Sequence, residues 1–460
     1  MEKYKNKKIA ILGFGIEGMS IIDFLFRDAL KITVYDDKSR NTFESILIDA
    51  YEQKGISFKF EEKLAAEEYD IVFRSPGIKP SALEIVDAKN KGIEVTSATK
   101  MFFELCPAEI VGVTGTKGKG TASTLIYEML KKEGFDAYLG GNIGIPPLSF
   151  LNKLKSDSRV VLELSSFQLI DLDKSPHVGV ILMTTSEHLD YHSDVYEYIE
   201  AKRNIFKFQD YRDFAVVNRD YPASNESDIY SNGKIYRVSR EQDVDQGCFV
   251  KNNMIFLKMD ENETEILDTK NLALRGKHNW ENVCAAIVAA LLAGATMKSI
   301  IPVLKSFKGL EHRIEHVATH RGVAYYDDSF STTPETAIAA IEAFDEPKIL
   351  ILGGSSKNSD FSELGQIISE SESIRAIIGI GLEWDHIKEK IKGLKPSVQI
   401  VEGCKSMKEV IEKCVEIGEI GDVVLLSPAC ASFDMFKSYK DRGEQFKEQV
   451  LSLHSTVLSN

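Results

Sequence analysis

Glu109-Ile110-Val111-Gly112-Val113-Thr114 runs straight into Gly115-Thr116-Lys117-Gly118-Lys119-Gly120-Thr121, and this junction decides the class of fold. The first six residues are short and apolar, as a strand covered on both faces should be. From about Lys119 the chain takes on a helical period, so the glycines form a turn between strand and helix. Such a loop can wrap phosphates with the backbone amides of Gly115, Thr116, Gly118 and Gly120, while Lys119 reaches the β and γ phosphates and the Thr121 hydroxyl holds Mg²⁺. Strict Walker A spacing wants glycine at Val113, so the loop is a shorter variant. A basic loop without a ligand is the competing reading.

The strand-then-helix rhythm extends in both directions, which argues for an α/β protein with mostly parallel sheets. At roughly 150 residues per domain, 460 residues leave room for about three. The expected divisions are 1–100, 101–310 and 311–460. In the first block, strands fall at Lys8 to Leu12, Lys31 to Tyr35 and Asp70 to Arg74. In the second, Arg159 to Leu164 and Val178 to Met183 follow the loop, the turn-rich stretch Asn218 to Leu274 is expected to carry antiparallel strands, and a helix Asn279 to Ala293 closes at Gly294. The third repeats the rhythm through Val323 to Tyr326, Lys348 to Leu352, Ala376 to Ile380, Val398 to Val401 and Asp422 to Leu426.

Composition excludes several classes. With 56 basic against 70 acidic side chains and a net charge of -14, the chain lacks the basic stripe a nucleic acid needs. Its longest apolar run, Cys284 to Ala295, falls short of the ~20 residues that span a bilayer. Lys3, Lys5, Lys7 and Lys8 crowd the start, but the apolar stretch behind them ends at Gly13, too early for a signal sequence. Six cysteines without CxxC or zinc spacing fit reduced thiols. A cytoplasmic protein is expected, with no membrane and no nucleic-acid partner.

Five further places carry chemistry. Gly13-Phe14-Gly15-Ile16-Glu17-Gly18 follows a strand and opens a helix, with Asp36 and Asp37 ending the next strand. That geometry serves NAD, FAD or any nucleotide diphosphate, or only a tight turn. Glu163 interrupts an apolar run where a buried charge is costly, so it is either a Mg²⁺ ligand or one half of an ion pair. His188 occupies the equivalent place after the next strand, as a ligand or as a surface histidine. Asp194 and Glu197 make a capping box, after which Val195, Ile199, Lys202 and Phe206 fall on one helical stripe. Lys202 therefore sits where an apolar side chain belongs: it either snorkels to the surface or, desolvated beside a metal, loses its proton and takes up CO₂ as a carbamate ligand. Asn279 and Asn282, three apart, can read the edge of a purine, or Asn279 is simply an N-cap.

Taken together, Gly115 to Thr121, Gly140-Gly141-Asn142-Ile143-Gly144, Glu163 to Leu169, His188-Leu189-Asp190, Lys202, His278-Asn279 with Asn282, His312-Arg313, Asp327-Asp328-Ser329 and Ser427 to Phe433 resemble the Mur ligases. The resemblance runs from about residue 8 to 446. It implies three domains: a Rossmann-like N-terminal domain holding the UDP of the substrate, a central P-loop ATPase domain, and a Rossmann-like C-terminal domain binding an amino acid. The implied reaction joins glutamate, D-glutamate in the branch most similar, to UDP-N-acetylmuramoyl-L-alanine through an acyl phosphate, in peptidoglycan precursor synthesis. The implied cofactors are ATP and two Mg²⁺ ions, with a CO₂-derived carbamate on Lys202, and a monomer is expected. By position, Lys119 and Thr121 would serve the ATP phosphates, and Thr121, Glu163, His188 and Lys202 the metals. Asn279 and Asn282 would serve adenine, and Arg313 and Asp328 would complete the ATP site. Gly15, Ile16, Asp36, Ser75 and Gly77 would serve the UDP end of the substrate. Asn142 and Ser165 would touch its muramoyl-alanine end, and Thr332, Lys357, Ser432, Phe433 and Tyr439 would hold the amino acid.

Two departures stand out. The family's lysine after Asp-Ser is Phe330 here, so either another cation such as Lys357 takes its load or the amino acid is bound in a different pose, as L-glutamate or another amino acid. Lys117 and Gly120 replace the commoner asparagine and serine of the loop, with Thr121 still available to the metal. A sister ligase of the folylpolyglutamate synthase type, or a nucleotide-binding regulator without catalysis, are the other classes.

Overall fold

A computed structural model describes residues 2–356 and 359–455. Its strands form three sheets of five, nine and six strands. The chain divides into two compact units, Met1–Asn271 with Trp280–Leu304, and Leu272–Asn279 with Lys305–Asn460. The first two sheets lie in the first unit and the third sheet in the second.

The first sheet contains β1 (Lys8–Leu12), β2 (Lys31–Asp36), β3 (Ser57–Phe60), β4 (Ile71–Arg74) and β5 (Glu94–Thr96), ordered β3-β2-β1-β4-β5 and parallel throughout. Alternation sends Ile9 and Ile11 into one buried cluster and Ala10 and Leu12 into another, so both faces of β1 are covered. Burial of large apolar side chains at such positions contributes about 1.5–3 kcal/mol each. The order reverses direction at β1, which opens a crevice beyond the C-terminal ends of β1 and β4.

The second sheet contains β6 (Glu109–Thr114), β7 (Ala137–Gly141), β8 (Arg159–Glu163), β9 (Val178–Ile181), β10 (Phe214–Asn218), β11 (Lys234–Ser239), β12 (Gly247–Lys251), β13 (Met254–Met259) and β14 (Asn262–Asp268). Its order is β14-β13-β12-β11-β10-β9-β6-β8-β7. Central β6 is flanked by β8 and β9, in a register that sets Val113 abreast of Glu163 and Val180. The glycine loop and the exits of β8 and β9 are therefore neighbours.

The third sheet contains β15 (Glu315–His320), β16 (Val323–Asp327), β17 (Lys348–Gly353), β18 (Ile374–Ile380), β19 (Gln399–Val401) and β20 (Val423–Leu426), ordered β15-β16-β20-β17-β18-β19. Leu426 lies abreast of both Asp327 and Ile351, so the loops leaving β16, β17 and β20 converge.

The structure corrects the sequence reading in several places. The stretch after Asn218 is not simply antiparallel: β10–β11 and β11–β12 pair in parallel, and only β12–β13–β14 form a meander. On the helix Val195–Lys207 the buried face runs through Tyr198, Ala201, Lys202, Ile205 and Phe206, while Val195 is exposed. The expected stripe of Val195, Ile199, Lys202 and Phe206 is thus buried at Lys202 and Phe206 and exposed at Val195, in the first turn. Its cap is split: Asp194 accepts from Glu197 N, but Glu197 Oε2 accepts from Ser193 N rather than from Asp194 N. The later helix spans His278–Leu292, with Gly294 left-handed at φ +101°. All six cysteines are free thiols. No helix among the described residues is long and apolar enough to cross a membrane.

Candidate active site

The loop after β6 is shaped by its glycines. Gly118 has φ +86°, and a Cβ there would lie 2.1 Å from Asn282 Oδ1. At Gly115, φ +153°, a Cβ would come within 2.9 Å of Leu182 Cβ. Thr116 N donates to Met183 O at 2.7 Å, anchoring the loop to the exit of β9. The helix Lys119–Glu133 then begins, with no acidic residue in its first turn to compete with an anion for its dipole. Lys119 Nζ folds back onto the carbonyls of Gly115 and Thr116, each at 2.9 Å. Thr121 lies buried within the first turn.

Lys202 reaches this loop from the helix Val195–Lys207. It is 2% exposed, and its Nζ donates to Gly115 O at 2.9 Å and to Thr114 Oγ1 at 3.5 Å, above the Tyr198 ring. Burial holds its pKa well below the usual lysine value, and the Lys119 ammonium lowers it further against the opposing pull of Glu187 and Glu163. Tyr198 Oη shares a 2.9 Å hydrogen bond with Thr116 Oγ1, so one helix braces both loop and lysine.

Glu163, at the end of β8, is 5% exposed. Asn142 binds it twice: Asn142 Nδ2 donates to Glu163 Oε1 and Asn142 N to Glu163 O, both at 2.9 Å. The residues fit a hard divalent cation on the chemistry of their donors, since Glu163 and Thr121 offer oxygen beside a phosphate loop. His188, left-handed at φ +57°, is half exposed, with its ring against Phe167 at 4.9 Å. Ser165 caps a short helix through a complete capping box with Gln168.

In the first turn of the helix His278–Leu292, the Asn282 carboxamide lies over Gly118 of the loop. Asn279 Nδ2 donates to Arg275 O at 2.7 Å, which fixes the chain as it enters the helix. Between them Glu281 is buried near Arg240 and Tyr221, and burial pushes its carboxyl up to about 7.

At the crevice of the first sheet, Gly13 turns with φ +96° and Gly18 packs on its carbonyl. Asp36 uses both oxygens on the turn, accepting from Phe14 N and Lys38 N. Nothing lies within 4 Å of a Cβ built at Gly15 or at Gly77, and Ile16 is exposed, so a ligand has open access. Ser75 faces Gly13 from the β4 loop. The buried Arg74 guanidinium pairs with Asp171 at 2.7 Å and also donates to the Ile78 and Phe167 carbonyls. Glu17 accepts from Gln168 Nε2 at 2.7 Å, and burial raises its carboxyl pKa.

In the second unit, Asp328 is buried, accepting from Ser331 Oγ, from Ser427 Oγ at 2.7 Å and from Ile314 N. Burial pushes it up to about 7. The Arg313 guanidinium stands 3.7 Å from the Phe330 ring centroid, and the Phe330 ring meets Tyr439 edge-on at 5.1 Å. Phe433 N donates to Ser355 Oγ, joining the β20 loop to the β17 loop; Ser432 is buried and Thr332 half-buried. Lys357 lies outside the described residues.

Three family models match the chain in order: Mur ligase MurD-like, N-terminal domain, over residues 7–97; Mur ligase middle domain over 113–290; and Mur ligase, glutamate ligase domain, over 312–430. A relative from Acetivibrio thermocellus named UDP-N-acetylmuramoylalanine–D-glutamate ligase is 39% identical over 99% of this chain and 98% of its own length. The chain belongs to the Mur ligase family. A relative of the same name from Clostridium tetani is 36% identical over 97% of each chain. Among solved structures, MurC of Thermotoga maritima superposes with TM-score 0.57 at 16% identity, covering 97% of this chain and 99% of its own. A MurF of Acinetobacter baumannii gives 0.59 at 14% identity, covering 93% and 91%. Both support the three-domain Mur ligase fold.

Sequence reading of this Mur ligase missed Tyr198, which lies four residues before Lys202 on the same face and could have been found by extending the stripe from the lysine. It also missed His192 and Ser166, whose side chains meet across two segments, and Arg442, fully buried and bonded to the carbonyls of Ser329 and Cys430. Only tertiary structure brings those pairs together.

Proposed function

We propose that this Mur ligase uses ATP to join glutamate, D-glutamate foremost, to UDP-N-acetylmuramoyl-L-alanine. The acceptor and the amino acid follow from the names of its full-length relatives. The phosphoryl chemistry rests on one observation above others: Lys202 Nζ is buried on the Gly115 carbonyl of the phosphate loop, with Glu163 close enough to act on its charge. Burial and the Lys119 ammonium both favour loss of the Lys202 proton. Once deprotonated, its nitrogen would attack CO₂, forming an N–C bond and releasing one proton, and the carbamate would place an anionic oxygen donor at a depth that no aspartate on that helix turn would reach. Glu163, His188, Thr121 and this carbamate would hold two Mg²⁺ ions, which when bound neutralise phosphate charge during transfer.

The loop amides and Lys119 orient the γ-phosphate toward the substrate carboxylate. The carboxylate oxygen forms the new P–O bond as ADP leaves, and the glutamate amine then attacks the acyl carbon, forming the C–N bond as the C–O bond to phosphate breaks and a proton leaves the nitrogen. Asn279 and Asn282 are assigned to adenine, and Arg313 and Asp328 to the nucleotide from the second unit. Gly15, Ile16, Asp36, Ser75 and Gly77 are assigned to the UDP end, and Asn142 and Ser165 to the muramoyl-alanine end. Thr332, Lys357, Ser432, Phe433 and Tyr439 are assigned to the amino acid. Domains at 1–100, 101–310 and 311–460 and a cytoplasmic monomer belong to the same reading.

The test is purified protein with UDP-N-acetylmuramoyl-L-alanine, ATP, Mg²⁺ and each glutamate enantiomer, following phosphate release and the amide product. Turnover with D-glutamate is expected; no release with either enantiomer refutes the reading. One observation favours a second acceptor, L-glutamate or another amino acid: position 330 presents a ring engaged with Arg313 instead of a cation.

A further inference from the structure

His192 lies between the segments carrying Glu163 and His188 without a role so far. Its side chain is fully buried among Phe167, Tyr191 and Tyr198, with ring centroids 5.7, 5.0 and 5.4 Å away. Nε2 shares a 2.9 Å hydrogen bond with Ser166 Oγ. Nδ1 is buried with no partner at hydrogen-bond distance; Glu197 Oε2 stands 3.7 Å away and accepts from Ser193 N instead. An imidazole with one committed nitrogen in an aromatic cage is locked in orientation.

The two segments it joins are informative. Ser166 follows Glu163 by three residues, on the exit of β8. His192 N and Tyr191 N both donate to His188 O, at 2.9 and 3.0 Å, closing the turn that holds His188 in its left-handed conformation. The Nε2–Ser166 hydrogen bond thus ties the turn carrying His188 to the strand exit carrying Glu163, beside the packing of Phe167 on the same turn. The same cage contains Tyr198, whose hydroxyl reaches Thr116 and whose ring underlies Lys202.

We propose that His192 is a positioning residue, paired with Ser166, that sets the spacing of the Glu163 and His188 segments for divalent cations bound with the nucleotide. This inference rests on the metal assignment made above. Groups behind metal ligands typically change metal affinity 10–100-fold when removed. The measurement is ADP binding by calorimetry across a Mg²⁺ series and in EDTA, for wild type, His192→Leu, His192→Gln, Ser166→Ala and the His192→Leu/Ser166→Ala double variant. His192→Leu and Ser166→Ala should each raise the Mg²⁺ needed for half-maximal enhancement about tenfold, with metal-free ADP affinity unchanged. The double variant should be no worse than the poorer single one, since both remove one bond. His192→Gln keeps an amide near Nε2 that can donate to or accept from Ser166 Oγ and should recover most of the loss.

Wild-type Mg²⁺ dependence in His192→Leu or Ser166→Ala, multiplying effects in the double variant, or equal losses with and without Mg²⁺ would each overturn the inference. Should His192→Leu not fold, Ser166→Ala alone decides it. Glu163→Gln separates the two levels: if it keeps the full Mg²⁺ enhancement, the metal assignment itself is wrong and this inference falls with it. If only the His192 and Ser166 variants behave as wild type, the assignment stands and the positioning role is gone.

Discussion

An ammonium group at the depth of Lys202 gives up its hydration, and the Gly115 carbonyl with the Thr114 hydroxyl replace only part of it. On the proposed reading, converting the amine to a carbamate would invert the problem, because an anion facing bound cations would have partners. Lys202→Ala should therefore lower the rate about 100-fold or more, the upper range for loss of a metal-site group. Formate or acetate should restore part of it by filling the vacated space, and a titration of rate against added carboxylate reads this directly. Full activity without rescue would remove the carbamate from the mechanism. Asp328 behaves differently. Its carboxyl is pushed up from 3.8 to about 7 by burial, so the folded chain binds that proton more tightly than the unfolded one. Its favourable contribution is complete below about pH 4 and is lost as pH rises through about 7. Asp328→Asn cannot ionise, so the fall of its thermal midpoint across that interval should be shallower than in wild type. An unchanged slope would show that Asp328 is ionised in the folded protein at neutral pH.

At the scale of elements, the phosphate loop depends on the helix that lies over it. Gly118→Ala meets two penalties, a left-handed φ of +86° and a Cβ 2.1 Å from Asn282 Oδ1. A loss of about 1–3 kcal/mol is expected, together with a raised KM for ATP. Adding Asn282→Ala should relieve the contact but not the backbone strain, so urea unfolding of the double variant should show less than the summed losses. Tyr198→Phe keeps the ring under Lys202 and removes only the bond to Thr116. It should cost about 1 kcal/mol.

These elements also show what the sequence disclosed. The parallel strands were legible because burial on both faces leaves runs such as Val160-Val161-Leu162, and the loop because its glycines must turn. Half-exposed β3 and the three-residue β5 carry no such run. Parallel pairing of β11 and β12 depends on how the chain returns to the sheet, which the local pattern does not encode. Lys202 was legible as an anomaly on an apolar stripe. Tyr198 and His192 were not, because a tyrosine or histidine beside apolar residues is ordinary until its partner is known.

For the whole molecule, the assigned nucleotide groups are divided between the two compact units: the loop, Glu163, Lys202 and Asn282 belong to the first, and Asn279, Arg313 and Asp328 to the second. A ligand that binds only the folded state stabilises whatever unfolds together with its site, by about 2.7 kcal/mol at a hundredfold excess over Kd. Scanning calorimetry with Mg²⁺ and ADP therefore reads which unit the nucleotide engages. If the first unit alone binds, one transition moves upward by a few degrees and the other stays in place. If Arg313 also contacts the nucleotide, both move, and Arg313→Ala should shrink the shift of the second unit while leaving that of the first. The expected outcome is that both transitions rise in wild type, since under the proposed assignment of Arg313 nucleotide binding energy is spent on both parts of the chain. A second transition that ignores the nucleotide in wild type would restrict the ATP site to the first unit and leave Arg313 for another ligand.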